Sequence, residues 1–334
     1  MVSSRSRRSL SEKARGAARK LARASGQPEP EGAPESSRLE RWLRPLFGGE
    51  LDRIDAAVSG AGPEGYAAFR DLDDDVWALL LTKEYEGWPG IRSFLPDLPE
   101  PALQQMWNGA SGPALAGQSV CFYRVLKQSQ ARHGSVPLEA ARVLDFGCGW
   151  GRLTRLLARD VEPGNLYGCD PVDQILDVCR ETGVPATLFR SDFLPDRLDV
   201  EAPLDLAFAF SVFTHVSERT ARATFDAVID ALAPDGLFVF TVRPVAYLDL
   251  VPDLEAALAA TGRGRESLET DPVYLFLAHE TEDHPQSDGE EMDYGESVIG
   301  LPWIRENWAA RADLVDVNVM IGDIYQVAVT MRKR

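Results

Sequence analysis

The spacing of apolar residues divides the chain at Pro137. Beyond it, short apolar runs alternate with amphipathic stretches of helical period. This is the pattern of strands covered by helices on both faces of a parallel sheet. It predicts strands at residues 142–146, 165–169, 186–189, 204–210 and 237–242. The helices between them carry Leu153, Leu156 and Leu157 on one face, then Val172, Ile175, Leu176 and Cys179, then residues 217–232. The second of these helices starts at Pro171 and stops at Gly183, the usual placement of those two residues. Residues 314–320 and 324–331 read as two closing strands. The short link Ile321-Gly-Asp323 makes them an antiparallel hairpin.

The rest of the chain has a different rhythm. Residues 1–37 end in a Pro/Gly/Glu/Ser mixture and read as a disordered basic tail and linker. Residues 38–135 read as a mainly helical cap, with Trp42, Leu43, Leu46 and Phe47 at helical spacing and a Trp-, Pro- and Gly-rich loop from Trp88 to Gly112. Residues 136–334 form the α/β domain, and within it 244–300 is an insertion of a helix, an acidic loop and aromatic residues.

Charge narrows the partners. The net charge of −17 hides +7 in residues 1–25, leaving −24 on the remainder. So acidic a body repels phosphate backbones, so no nucleic-acid partner is expected. No apolar run reaches the roughly 18 to 20 residues of a membrane-spanning helix, so no membrane span is expected. The four cysteines form no C-x-x-C pair and read as buried residues in a reducing, cytoplasmic setting. The Arg- and Ser-rich, acid-poor N-terminus leaves a transit peptide as the alternative. Oligomeric state has no signature here.

The chemistry concentrates in Val143-Leu-Asp-Phe-Gly-Cys-Gly-Trp-Gly-Arg152, joining the first strand to its helix. Gly147, Gly149 and Gly151 permit a tight turn and close approach of backbone to ligand. A dinucleotide fingerprint, G-x-G-x-x-G, would need glycine where Arg152 stands. Asp145 faces the mouth of the turn. Unit charges about 4 Å apart interact by about 4 kcal/mol at an effective dielectric of about 20, so a carboxylate here repels a pyrophosphate and attracts a cationic nucleoside. Asp170 lies 23 residues beyond Gly147, where an acid either accepts ribose hydroxyls or caps the next helix. Asp192, in Ser191-Asp-Phe193, has the same two readings, as an adenine acceptor or a cap.

The run 143–152, with Asp170 at its offset and Ser211-Val-Phe-Thr-His215 after the fourth strand, resembles the class I S-adenosylmethionine-dependent methyltransferases. The resemblance covers residues 140–243 and, in outline, the final hairpin. It implies a Rossmann-like, mostly parallel sheet whose last strand inserts antiparallel. It also implies an S-adenosylmethionine site in which Asp145, Gly147, Cys148, Gly149 and Gly151 hold the methionine end, Asp170 the ribose and Asp192 the adenine, with Ser211 at the rim. Segments 38–135 and 244–300, outside the shared pattern, are expected to form lid and acceptor pocket.

His215 is the candidate general base, against the alternative of a histidine bonded into the start of the next helix. Tyr294 and Glu296, before the apolar segment 299–308, are expected to line the acceptor pocket together with Trp107 and Tyr123. His279 and His284 sit among acids and read as parts of a solvated loop rather than a metal site. The family's Asn/Asp-Pro-Pro-Tyr motif is missing after the fourth strand, and so are the acids of metal-dependent members after the fifth. A metal-independent transfer to a small-molecule oxygen or nitrogen acceptor is the expectation. A cofactor-binding protein without catalysis, or an enzyme acting on protein or polysaccharide, stands as the rival.

Overall fold

The computed structural model describes residues 35–201, 203–279 and 292–334. The expected basic tail lies outside them except at its end, where helix α1 (Glu35–Val58) has already begun. His284 and most of the acidic loop also lie outside.

Five helices make the cap: α1, α2 (Asp74–Leu81), α3 (Pro89–Phe94), α4 (Pro101–Asn108) and α5 (Gly112–His133). Pro stands in the first turn of α3, α4 and α5, where its missing N–H costs no hydrogen bond. The Asp73 carboxylate caps α2 by accepting from the amides of Asp75 and Val76. On α1 the buried face is Leu39, Leu43, Leu51, Ile54 and Val58, while Trp42 and Leu46 of the predicted apolar set are exposed. The buried set is the one at spacings of three, four and eight.

The main sheet has the order β3-β2-β1-β4-β5-β9-β8. Its strands are β1 (Val143–Phe146), β2 (Leu166–Asp170), β3 (Thr187–Arg190), β4 (Leu204–Ala209), β5 (Leu232–Val242), β8 (Ala312–Val319) and β9 (Val327–Lys333). Strands β1 to β5 run parallel. Strand β9 enters antiparallel between β5 and β8, so the predicted hairpin and its insertion are both present. The connecting helices are α6 (Arg152–Leu157), α7 (Asp173–Glu181) and α8 (Glu218–Ala231). Strand β1 is buried along its whole length, as expected of a strand covered on both faces. Strand order reverses between β1 and β4, and at such a switch a crevice opens outside the carboxyl ends of the strands.

The insertion is more ordered than its sequence suggests. It holds α9 (Pro252–Ala260), α10 (Ser267–Thr270) and a second sheet of β6 (Tyr274–Ala278) with antiparallel β7 (Gly295–Ile299), followed by α11 (Leu301–Trp308). This two-stranded sheet decides what faces the crevice.

Candidate active site

At the carboxyl end of β1 the chain turns on three glycines in the left-handed region, at φ +71° (Gly147), +52° (Gly149) and +77° (Gly151). A side chain at Gly147 would bring its Cβ within 2.5 Å of Val212 Cγ2. At Gly149 the nearest atom is a Trp107 ring carbon 3.9 Å away, so the backbone there has room for a ligand.

Both oxygens of Asp170 are engaged. Oδ2 accepts from the Gly149 amide at 3.0 Å and Oδ1 from the Val172 amide at 3.0 Å. It therefore both pins the glycine turn and caps the approach to α7. Each carboxylate oxygen keeps a lone pair for a further donor. Burial pushes its carboxyl up to about 6, against the lowering by those two amides. Asp145 is more enclosed. Its Oδ2 accepts from Thr154 Oγ1 at 2.6 Å, and burial pushes it up to about 7 although Thr154 and the charge of Arg152 pull the other way. Cys148 is turned beneath the loop, with Sγ against the Gly149 carbonyl at 3.6 Å and against Gly168. Its side chain supports the turn, and only its backbone lies on the ligand side. Cys179 Sγ reaches the same carbonyl at 3.1 Å. All four cysteines are free thiols.

The cap is stitched to this turn. Trp150 Nε1 donates to Asn108 Oδ1 at 2.8 Å, and Arg152 Nη1 to Ser119 Oγ at 3.0 Å. Trp107, at the end of α4, lies beside Gly149 rather than beside His215's face. Asp192 is exposed just beyond β3.

Across the crevice, two residues past β4, stands Ser211, whose φ of +62° is unusual for a residue with a side chain. Its amide donates to Thr241 Oγ1 at 2.8 Å and its hydroxyl accepts from Gln326 Nε2 at 3.0 Å. The segment 214–216 is paired to β7: the Gly295 amide donates to the His215 carbonyl at 2.7 Å, and the Ser297 amide to the Thr214 carbonyl at 2.9 Å. Residues 294 and 296 alternate with 295 and 297, so both side chains share one face. That face meets His215. The Tyr294 ring stacks on the His215 ring at 5.3 Å, and Glu296 Oε2 lies 3.8 Å from Nδ1.

His215 Nδ1 is 2.8 Å from the Gly295 carbonyl. A carbonyl only accepts, so Nδ1 carries the proton and Nε2 presents its lone pair. Burial lowers the imidazole below its usual range, and nearby Arg243 and His279 lower it further against the pull of Glu296. A neutral imidazole with an unprotonated Nε2 is what a general base requires.

Three residues that sequence reasoning missed complete this face. Tyr247 donates to Glu296 Oε2 at 2.8 Å. Arg243, after β5, lies over the Tyr247 ring at 4.1 Å with Nη2 3.5 Å from His215 Nε2. His279 ends β6, with its amide on the Tyr294 carbonyl and Nε2 3.7 Å from Glu296 Oε1. His279 thus lies at the partly exposed edge of this face, held there by strand pairing among acidic neighbours in sequence. Burial would raise the Glu296 carboxyl, yet His279, His215, Arg243 and Tyr247 outweigh it and hold it below its usual range. Among the described residues no three His, Cys, Asp or Glu side chains form a group able to hold a metal ion.

Residues 143–236 match the family described as "Methyltransferase domain". The match spans less than a third of the chain. Over 113 residues it is 34% identical to a ubiquinone biosynthesis O-methyltransferase of Xylella fastidiosa (strain 9a5c), a match covering 32% of this chain and 44% of the relative. The aligned part is thus less than half the length of that curated relative. Among solved structures, the glycopeptide N-methyltransferase MtfA complexed with sinefungin aligns with a TM-score of 0.42 and 15% identity, over 65% of this chain and 94% of that one. A S-adenosylmethionine-dependent methyltransferase from Clostridium acetobutylicum ATCC 824 aligns at 0.44 and 11% identity, over 70% and 96%.

The glycine turn gathers Asp170 and Trp107, and the β7 pairing gathers His215, Tyr294 and Glu296, while Tyr123 stands apart from both. Tyr123 is fully buried at the far end of α6, where its hydroxyl donates to Asp160 and accepts from Arg159 Nε at 3.1 Å. Its place on an apolar helical face suggested an aromatic pocket wall. The hydroxyl instead serves the joint between cap and domain.

Proposed function

We propose that the chain transfers a methyl group from S-adenosylmethionine to an oxygen or nitrogen of a small-molecule acceptor without a metal ion. The observation that carries this reading is the pairing of two unlike walls. One is a backbone cradle of left-handed glycines with two buried carboxyls. The other is a histidine held as a neutral base.

The cradle suits this cofactor. It is open above Gly149 and carries the carboxyls of Asp145 and Asp170. Asp145 and the glycine backbone would hold the cationic amino-acid end, Asp170 the ribose and Asp192 the adenine. When bound, the cofactor supplies an electrophilic methyl on a sulfonium. The rest falls to this chain. Trp107 and the α4–α5 turn exclude water from the cradle. Tyr294 and Glu296 keep the His215 ring fixed, since aligning the reacting groups is most of the task in an in-line displacement. His215 Nε2 takes the acceptor proton, and the Nδ1 bond to the Gly295 carbonyl steadies the imidazolium that forms.

A screen of hydroxyl and amine acceptors for S-adenosylhomocysteine release tests this. Turnover is expected to survive a chelator. His215→Gln should lower kcat by about 10²- to 10⁴-fold, the range for a lost general base, with cofactor affinity by calorimetry unchanged. Cofactor binding with no turnover on any acceptor would favour a binding protein. Absence of binding would remove the reading altogether.

A further inference from the structure

Arg243 stands beside the proposed base with most of its donors unused. Nη1 donates to the Tyr325 carbonyl at 3.3 Å, and Nη2 meets His215 Nε2 at a long 3.5 Å. Nε is buried and has no acceptor among the described residues. No carboxylate among them pairs with it. Glu296 is committed to Tyr247 and to contacts with His215 and His279. A guanidinium has five N–H donors in a rigid fork, and leaving such donors buried and unmet is costly. A second unmet group lies nearby in the chain: Gln326, next to the Tyr325 that receives Arg243, has its Oε1 buried without a partner.

We infer that Arg243 anchors a carboxylate on the acceptor, so that the substrate is a small planar hydroxy- or amino-acid whose nucleophile is presented to His215. The inference rests on the methyltransferase reading and adds the substrate class. Geometry favours a carboxylate because the fork matches its two oxygens. Charge favours a monoanion over a phosphate dianion, since Glu296 and Asp323 lie near Arg243 and Asp170 stands on the opposite wall, and repulsion grows with the ligand's charge. Tyr294, half-buried on the same face as His215, places an aromatic ring beside the ligand body.

The test is an NMR titration of the whole chain with 4-hydroxybenzoate, 4-hydroxybenzamide and phenyl phosphate, each with and without saturating S-adenosylhomocysteine. The acid is expected to bind at least tenfold more tightly than the amide. Arg243→Gln should erase that preference, and Arg243→Lys should restore part of it. Affinity for S-adenosylhomocysteine should stay within threefold in both variants. Equal binding of acid and amide to the wild-type chain, or a preference that survives Arg243→Gln, overturns the inference. So does a loss of S-adenosylhomocysteine affinity in Arg243→Gln, which would place the arginine on the cofactor. Tighter binding of phenyl phosphate overturns the choice of a carboxylate. Failure of the wild-type chain to bind S-adenosylhomocysteine defeats the functional reading instead, and the titrations without it still decide the role of Arg243.

Discussion

The two walls of the crevice are made by different means. On the β1–β2 side the contacts come from backbone: three glycines, and amides pinned by Asp170. All of it lies within residues 145–172. On the β4–β5 side the contacts come from side chains: His215, Arg243, Tyr247, His279, Tyr294 and Glu296, scattered over some eighty residues and assembled by β7 pairing with segment 214–216. A backbone wall binds what a whole family shares. A side-chain wall is free to change with the acceptor, because each residue can vary without altering a turn. The contrast explains why one wall matches a general domain family and the other is where individuality resides.

The largest effect is expected from the charge in the backbone wall. The folded chain holds the Asp145 proton up to about pH 7, against a reference value of 3.8. Below pH 4 both folded and unfolded chains are protonated and nothing differs. Between pH 4 and 7 the unfolded chain gives up this proton while the folded chain keeps it, so stability falls as pH rises. At about 1.4 kcal/mol per unit the full penalty above pH 7 is about 4 kcal/mol. Asp145→Asn should therefore make the ligand-free protein more stable than wild type at pH 8 and no different at pH 3.5 in denaturant melts. The same variant should bind the cofactor weakly and lose the strengthening of affinity that wild type shows between pH 6 and 8. A variant less stable than wild type at pH 8 would show that Asp145 is held by more than its burial.

A smaller effect separates shape from space within the same wall. Gly147→Ala meets Val212 at 2.5 Å, whereas Gly149→Ala meets open room, with Trp107 at 3.9 Å. Both require a left-handed alanine, at about 1–2 kcal/mol. Gly147→Ala should therefore cost more cofactor affinity than Gly149→Ala, on the order of 100-fold against 10-fold in calorimetry. Adding Val212→Ala to the first should recover the difference. Recovery would locate the point where the two walls touch. An equal loss at both glycines would mean that ligand contact, not the neighbouring side chain, governs the turn.

The same division governs what could be read from sequence. The parallel strands, the glycine turn and Asp170 were legible because each is set by neighbours a few residues away: alternating apolar runs, glycine spacing, an acid at a strand end. The acceptor wall was legible only in part. His215 was named from its place after a strand, and Tyr294 and Glu296 from theirs before the apolar segment 299–308. The sheet of β6 and β7 was not foreseen, since Gly295-Glu-Ser-Val-Ile299 is too short to show an alternation and its partner strand lies across the acidic loop. Without that pairing His279 looks solvated. Arg243 stood in plain view at a strand end, where a lone cation after β5 is the signal that was passed over in noting missing acids.

The smallest effect concerns Tyr123, which sequence places on the acceptor wall and the structure places outside both. Its hydroxyl bridges Asp160 and Arg159, and Lys127 Nζ reaches it at 3.4 Å. Arg159 in turn donates to the carbonyls of Phe69 at 3.1 Å and Leu72 at 2.6 Å and pairs with Asp74. These bonds tie the end of α6 to the start of α2, so the hydroxyl serves the seam between cap and domain. Tyr123→Phe keeps the ring and removes one donor and one acceptor, leaving Asp160 and Arg159 Nε each short of a partner. A buried group so stranded costs about 1–3 kcal/mol, so the melting temperature should fall by several degrees. Acceptor KM and cofactor affinity should not move, because nothing on the crevice side contacts this hydroxyl. If instead KM rises at unchanged melting temperature, the seam reaches the acceptor after all, and the cap must close over the β4–β5 wall in a way that the hydrogen bonds around Arg159 do not predict.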